Sequence, residues 1–212
     1  MIKAVIVDVD GVLVDTPKFD FIALGHALED IHITLPKEVY MQLVGLPEIE
    51  FSKELHKKLF VMLPDKVKEN RTTMFNALLR EAGSTREDIK EILSKLREEG
   101  KKIIAMSYND EAYVNQVISK VQMKDCFDLI INGGSDKKKV SGVNILSVIP
   151  KELGIDSADC VVLDDSAYGI ICAKQAGMKS IAIPNEFTES HDFSDADQVS
   201  DIGQIKKLID EM

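Results

Sequence analysis

The stretch Val5-Ile6-Val7-Asp8-Val9-Asp10-Gly11 constrains this chain more than any other. Its apolar, β-branched start reads as a strand buried on both faces, as in a parallel sheet. It then stops at two carboxylates and a glycine. Side chains two apart on a strand share a face, so Asp8 and Asp10 point into one small volume and repel unless a cation or a proton intervenes. Gly11 lets the backbone turn sharply away. Asp and Gly also end strands as ordinary turn residues. The stretch alone therefore admits two readings, a cation site and a simple turn, and the rest of the chain must decide.

Including Ile2 to Val7, five apolar runs have strand length, the others being Lys102 to Met106, Phe127 to Ile131, Cys160 to Leu163 and Ser180 to Ile183. Amphipathic helical segments separate the last four, an alternation that argues for a parallel α/β sheet. The gap from Val7 to Lys102 is far longer than the dozen or so residues a βαβ crossover needs. An insertion is expected there, from Pro17 to Thr85. Ile22, Leu28 and Ile31, then Leu55, Leu59 and Leu63, then Met74, Phe75, Leu78 and Leu79 form its apolar helical stripes. Pro36, Pro47 and Pro64 stand where helices start. The expected organisation is a core domain of residues 1–16 and 86–212 with a helical domain of residues 17–85 inserted. Ser84-Thr85-Arg86-Glu87-Asp88 reads as a helix start, leading into a helix with Ile89, Ile92, Leu93 and Leu96 on one face.

The chain of 212 residues has a net charge of −10 and no long basic cluster, which argues against nucleic acid and anionic membrane surfaces as partners. A small phosphate remains compatible with such a chain if a metal reverses the local sign. Cys126, Cys160 and Cys172 lack Cys-X-X-Cys spacing and fit a reduced, cytoplasmic compartment as small apolar residues. The first residues enter a strand directly, without a charged leader or long apolar stretch, so neither secretion nor membrane spanning is expected. His26, His32, His56 and His191 show no metal-ligand spacing, and structural or surface roles are expected for them. Nothing in the sequence sets an oligomeric state.

The ends of the later runs carry the polar groups. Ala105-Met106-Ser107-Tyr108-Asn109-Asp110 passes from strand to helix, where free N–H groups suit an anion and where Ser107 or Asn109 would equally serve as a cap. Asn132-Gly133-Gly134-Ser135-Asp136-Lys137-Lys138-Lys139 is a cationic turn, a pattern also usual in solvated loops. Leu163-Asp164-Asp165-Ser166 sets a second pair of carboxylates at a strand end, again asking for a cation. Ser190 to Asp201 reads as acidic, irregular and solvated, before a last helix with Ile205, Leu208 and Ile209 on one face.

Taken in order, these pieces resemble the haloacid dehalogenase superfamily. DVDGVLVDT is similar to its first motif, Ser107 to its second, the lysine loop to its third and VVLDDSAYGIICAKQAGM to its fourth, and the insertion resembles the helical cap of the phosphoglycolate phosphatase and β-phosphoglucomutase branch. The resemblance implies a doubly wound, Rossmann-like parallel sheet with an inserted helical cap. Strand ends would then converge at a switch point. It implies a Mg²⁺-dependent phosphatase of a small phosphorylated metabolite, with Asp8, Asp10, Asp164 and Asp165 around the ion. Asp8 would form an aspartyl-phosphate, with Asp10 as acid and base, also holding the metal through its backbone carbonyl. Ser107 and Lys139 complete the implied catalytic set. Gly11, Tyr108, Asn109 and Lys68 are the implied substrate contacts, although Lys68 also reads as an exposed helical lysine.

Two departures from that pattern matter. The lysine position of the third motif falls by register on Val140, so Lys139 fills it only if the loop carries a one-residue irregularity; Lys138, or no lysine, are the alternatives. In the cap, Asp20 stands where a mutase histidine is expected, and Gly45 is followed by Leu46-Pro47-Glu48 without an arginine. Hydrolysis is accordingly expected over a β-phosphoglucomutase-like transfer. A non-catalytic binding or regulatory protein of the same fold is a further alternative. A hydrolytic dehalogenase suits the acidic pairs less well.

Overall fold

The structure is a computed structural model that describes residues 1–86, 88–133 and 144–212. Its centre is a parallel sheet of six strands, β1 (Ala4–Asp8), β2 (Lys102–Ser107), β3 (Leu129–Asn132), β4 (Cys160–Asp164), β5 (Lys179–Ala182) and β6 (Gln198–Val199), in the order β3-β2-β1-β4-β5-β6. The chain winds outward from β1 in one direction through β2 and β3, then returns to β1's other side for β4, β5 and β6. This is a doubly wound, Rossmann-like arrangement with its switch point between β1 and β4.

Alternation along the strands sends residues to two separate cores. Val5, Val7, Ile103, Ala105, Val161 and Leu163 join the cluster covered by α5 (Ile89–Glu98), α6 (Glu111–Lys120) and α9 (Ile205–Glu211). Ala4, Ile6, Ile104, Met106, Cys160 and Val162 join the opposite cluster under α7 (Ile149–Leu153) and α8 (Ala167–Gln175). Both faces of the central strands are therefore buried, which is why their sequences read as continuous apolar runs.

Before α5, the long gap after β1 holds α1 (Thr16–Glu29), α2 (Lys37–Met41), α3 (Glu48–Leu59) and α4 (Asp65–Ala82). Pro36, Pro47 and Pro64 are the residues immediately before α2, α3 and α4. The two connections to the sheet run side by side, where Val14 pairs with Thr85. This helical insertion has its own buried cluster, including Leu24, Leu28, Tyr40, Leu43, Phe51 and Leu55. Arg71 of α4 is held within it, with Nε 2.7 Å from Asp20 Oδ1, Nη2 2.8 Å from Asp20 Oδ2 and the guanidinium over the Phe51 ring.

Three details differ from the sequence expectations. The helix expected from Ser84 begins at Ile89, because Arg86 is drawn back toward β1, its N–H donating to Leu13 O and its Nη1 to Gly11 O. Asp88 then takes the left-handed conformation with φ of 63°. The segment read as irregular and solvated contributes β6, which extends the sheet edge beside β5. In α1 the inward face is Phe19, Ala23, Leu24, Ala27 and Leu28, and Ile22 is 43% exposed.

That last difference has a measurable consequence. Leu24→Ala is expected to destabilise the protein by about 2–5 kcal/mol in urea unfolding. Ile22→Ala is expected to cost less than about 1 kcal/mol; the reverse ranking would contradict this orientation of α1.

Candidate active site

Parallel register levels the C-terminal ends of β1 and β4: Val7 pairs with Leu163, so Asp8 and Asp164, the next residues, emerge side by side. Asp165 follows in the turn before α8. One carboxylate oxygen from each of Asp8, Asp164 and Asp165 lies within 4.8 Å of the others, and all three residues are buried.

Two glycines make this convergence sterically feasible. A Cβ on Gly11, whose φ is +80°, would fall 2.1 Å from Asp165 Oδ2, and one on Gly169 would fall 1.8 Å from Asp164 Oδ2. Polar neighbours fix the carboxylates. Asp164 Oδ1 accepts from the Ser166 N–H at 2.9 Å and from the Ser166 hydroxyl at 2.8 Å. The Asn185 side-chain amide donates to Asp165 Oδ2, and the Asp10 N–H donates to Asp8 Oδ1 at 3.3 Å.

The three acids are nevertheless under-compensated. Burial, and then the charges of Asp164, Asp10 and Asp165, push the Asp8 carboxyl well above its ordinary range. Burial and the neighbouring Asp164 do the same to Asp165, against the opposing Asn185 bond. Burial lifts Asp164 to about 6 despite the two bonds from Ser166. Asp164 Oδ2 is buried, and among the described residues it has no hydrogen-bond partner. Three converging carboxylates, with no nitrogen or sulfur in the set, are suited to a hard divalent cation.

Asp10 lies beside this cluster and has a different environment. Its Oδ1 accepts from Thr16 Oγ1 at 2.6 Å and from the Tyr113 hydroxyl; its Oδ2 accepts from Ser107 Oγ at 2.7 Å and Asn109 Nδ2 at 3.0 Å. Ser107 Oγ in turn accepts from the Asn109 N–H at 3.1 Å. The α6 cap is Asp110, whose carboxylate accepts from the Tyr113 N–H at 2.9 Å, so Ser107 and Asn109 are free to serve the site.

The structure thus brings together Asp8, Asp10, Gly11, Ser107, Asn109, Asp164 and Asp165. Tyr108 lies on the other side of β2 from Ser107, as alternation requires, with its ring edge-on to Tyr168 at 5.1 Å; burial, and then the charge of Asp164, push its hydroxyl pKa up. Lys68 is on an outer face of α4, its ammonium 3.5 Å from Asp65 Oδ1; Arg71 of the same helix is partly buried and paired with Asp20. Lys139 lies outside the described residues. Sequence reasoning did not single out Tyr113, Asn185 or Arg86. The Asp110-X-X-Tyr113 spacing does mark a helix start beside β2, and Asn185 follows a strand next to β4. Arg86 carries no such signal.

A family profile of haloacid dehalogenase-like hydrolases matches residues 5–183. The chain belongs to the haloacid dehalogenase-like hydrolases. It is 28% identical over 202 residues to YhcW of Bacillus subtilis, covering 93% of this chain and 90% of that one. It is 25% identical over 184 residues to the phosphorylated carbohydrates phosphatase of Thermotoga maritima, covering 84% and 83%. Among solved structures, the β-phosphoglucomutase of Clostridium difficile matches with a TM-score of 0.80 at 21% identity, covering 100% of this chain and 98% of that one, a likeness of fold. In this haloacid dehalogenase-like hydrolase Asp8 ends β1 with Asp10 just beyond it, and Asp164 ends β4 with Asp165 just beyond it. Among the described residues, no helix is long and apolar enough to cross a membrane.

The raised carboxyls give a pH signature. The folded chain holds these protons more tightly than the unfolded chain does, so stability falls as pH rises from the ordinary value of 3.8 through the Asp164 value of about 6. A divalent ion bound between these carboxylates would replace the protons and relieve the repulsion. Adding Mg²⁺ is therefore expected to raise Tm at pH 7.5 and to leave it unchanged at pH 4.5. Metal-free Asp164→Asn is expected to be at least as stable as the wild type at pH 7.5 and unresponsive to Mg²⁺ in thermal melts.

Proposed function

We propose that this hydrolase is a Mg²⁺-dependent phosphatase of small phosphomonoesters, acting through an aspartyl-phosphate on Asp8. The observation that carries this reading is the meeting of Asp8, Asp164 and Asp165 beside an Asp10 held by four donors. The similarity to a relative named for phosphorylated carbohydrates supports a small phosphorylated metabolite as substrate.

Asp8, Asp164 and Asp165, with the Asp10 carbonyl, would hold the ion. Mg²⁺ would supply neutralisation of the phosphoryl and carboxylate charges and orientation of the phosphate. A carboxylate oxygen of Asp8 attacks phosphorus as the ester P–O bond breaks. Asp10 gives its proton to the departing oxygen. Water then attacks the phosphorus of the aspartyl-phosphate, its proton passes to Asp10, the P–O bond to Asp8 breaks, and phosphate and free Asp8 are regenerated. Ser107 and Asn109 stand at the end of β2 to bond the phosphoryl oxygens and to locate Asp10.

The helical insertion, residues 17–85 by the boundaries drawn from sequence, serves as a cap that excludes bulk water and selects the leaving group. Asp20, at the position of the expected mutase histidine, is engaged by Arg71 and by the Tyr40 hydroxyl at 3.0 Å. A carboxylate committed to an ion pair is a poor partner for a second phosphate, which favours hydrolysis over mutase transfer.

Phosphate release from a panel of sugar phosphates and aryl phosphates tests the proposal. Activity is expected to vanish with EDTA, return with Mg²⁺ and be absent in Asp8→Asn; full activity of that variant would refute the nucleophile assignment. Tyr113→Phe removes one of four bonds to Asp10 and is expected to lower kcat about ten-fold on alkyl phosphates. The loss should be smaller on p-nitrophenyl phosphate, whose leaving group needs little protonation, with KM nearly unchanged on both.

A further inference from the structure

The segment after β5 connects the acidic cluster to the helical insertion. Its backbone is tightly self-bonded: the Thr188 and Glu189 N–H groups both donate to Asn185 O, at 3.0 and 2.9 Å, and the His191 N–H donates to Thr188 O at 2.9 Å. Two of its side chains are fastened to the Asp164–Ala167 turn. The Asn185 amide donates to Asp165 Oδ2. The Ala167 N–H donates to His191 Nδ1 at 3.2 Å, which leaves the proton on Nε2, and Nε2–H donates to Met41 O of the insertion at 2.7 Å.

Between those two anchors the segment enters the insertion itself. Phe187 is 3% exposed and belongs to the insertion's buried cluster, the other members of which lie between Leu24 and Val67. Its ring meets Phe21 at 5.4 Å and Tyr40 at 5.5 Å. Glu186 pairs with Lys37 of α2 at 2.6 Å. The Phe187 N–H donates to Asn185 Oδ1 at 2.8 Å, so one amide side chain is bonded at its oxygen to the residue buried in the insertion and at its nitrogen to Asp165.

We propose that Asn185 is a positioning residue for the metal-binding carboxylate of Asp165, and that Phe187 makes this positioning depend on the helical insertion being docked. The proposal rests on Asp165 being a metal ligand. With Phe187 seated, the Asn185 amide is oriented and holds Asp165 Oδ2 in place. With Phe187 withdrawn, the amide loses one of its two fixed partners and Asp165 is free to turn. Coupling is reciprocal, so metal binding should in turn tighten the insertion.

The test is Mg²⁺ titration by calorimetry together with hydrogen exchange of the intact protein. Phe187→Ala, which touches none of the acidic groups, is expected to weaken Mg²⁺ binding about 5-fold or more. Leu55→Ala, in the same buried cluster but off the segment, is expected to retain wild-type affinity. Mg²⁺ should slow exchange across Lys37 to Val44 in the wild type and not in Phe187→Ala. Asn185→Ala, which leaves the apolar cluster intact, should weaken Mg²⁺ binding while exchange of the metal-free insertion stays as in the wild type, and this arm stands if Phe187→Ala does not fold. Wild-type affinity in a folded Asn185→Ala or Phe187→Ala variant overturns the proposal, as does an equal loss in Leu55→Ala. Absence of Mg²⁺ binding by the wild type overturns the metal site itself, a separate and recognisable failure.

Discussion

Three buried carboxylates, one oxygen of each within 4.8 Å of the others, are a standing electrostatic problem, and much of the local structure is arranged to make them meet. Parallel pairing of β1 with β4 sets Asp8 and Asp164 at one level. Gly11 and Gly169 leave the room that any side chain would fill. Ser166 and Asn185 compensate Asp164 and Asp165 in part, and the remainder appears as raised carboxyls and an orphaned oxygen. Burial without full pairing is costly. A fold retains such a cluster where a cation completes it.

Asp10 illustrates a second kind of constraint. Its four donors come from the start of α1, the end of β2, the turn after it and the first turn of α6. Thr16 reports where the chain enters the insertion. Tyr113 packs at a tilt against Phe75 of α4 with ring centroids 5.3 Å apart, so it touches the insertion's exit helix as well. The group assigned to proton transfer is thereby located by the core and the insertion together. Arg86 adds a further tie at the exit, with Nη1 2.6 Å from Gly11 O.

The sheet was legible because buried parallel strands are written as short apolar runs, and the five longest were found within a few residues of their bounds. The sixth, Gln198–Val199, is two residues long and exposed, and its pairing with β5 has no signature in hydropathy. Helix faces were legible where burial is one-sided, as for Ile89, Ile92, Leu93 and Leu96. They were misread in α1, where apolar residues surround the helix and only tertiary packing separates Ile22 from Leu24. The acidic residues of the site could be named from spacing and from family resemblance. Tyr113 and Asn185 could not, since each reaches the site through a turn whose direction only the assembled sheet defines. Tyr108, beside Ser107 in sequence, lies on the other side of β2, against Tyr168.

The central claim is that Asp8, Asp164 and Asp165 share one divalent ion. Crystals soaked in Mn²⁺ and measured at the manganese absorption edge test it most directly. The account requires a single strong anomalous peak bounded by oxygens of those three carboxylates, absent from Asp164→Asn. A peak elsewhere, or none in a wild-type crystal with the acids placed as described, would contradict it.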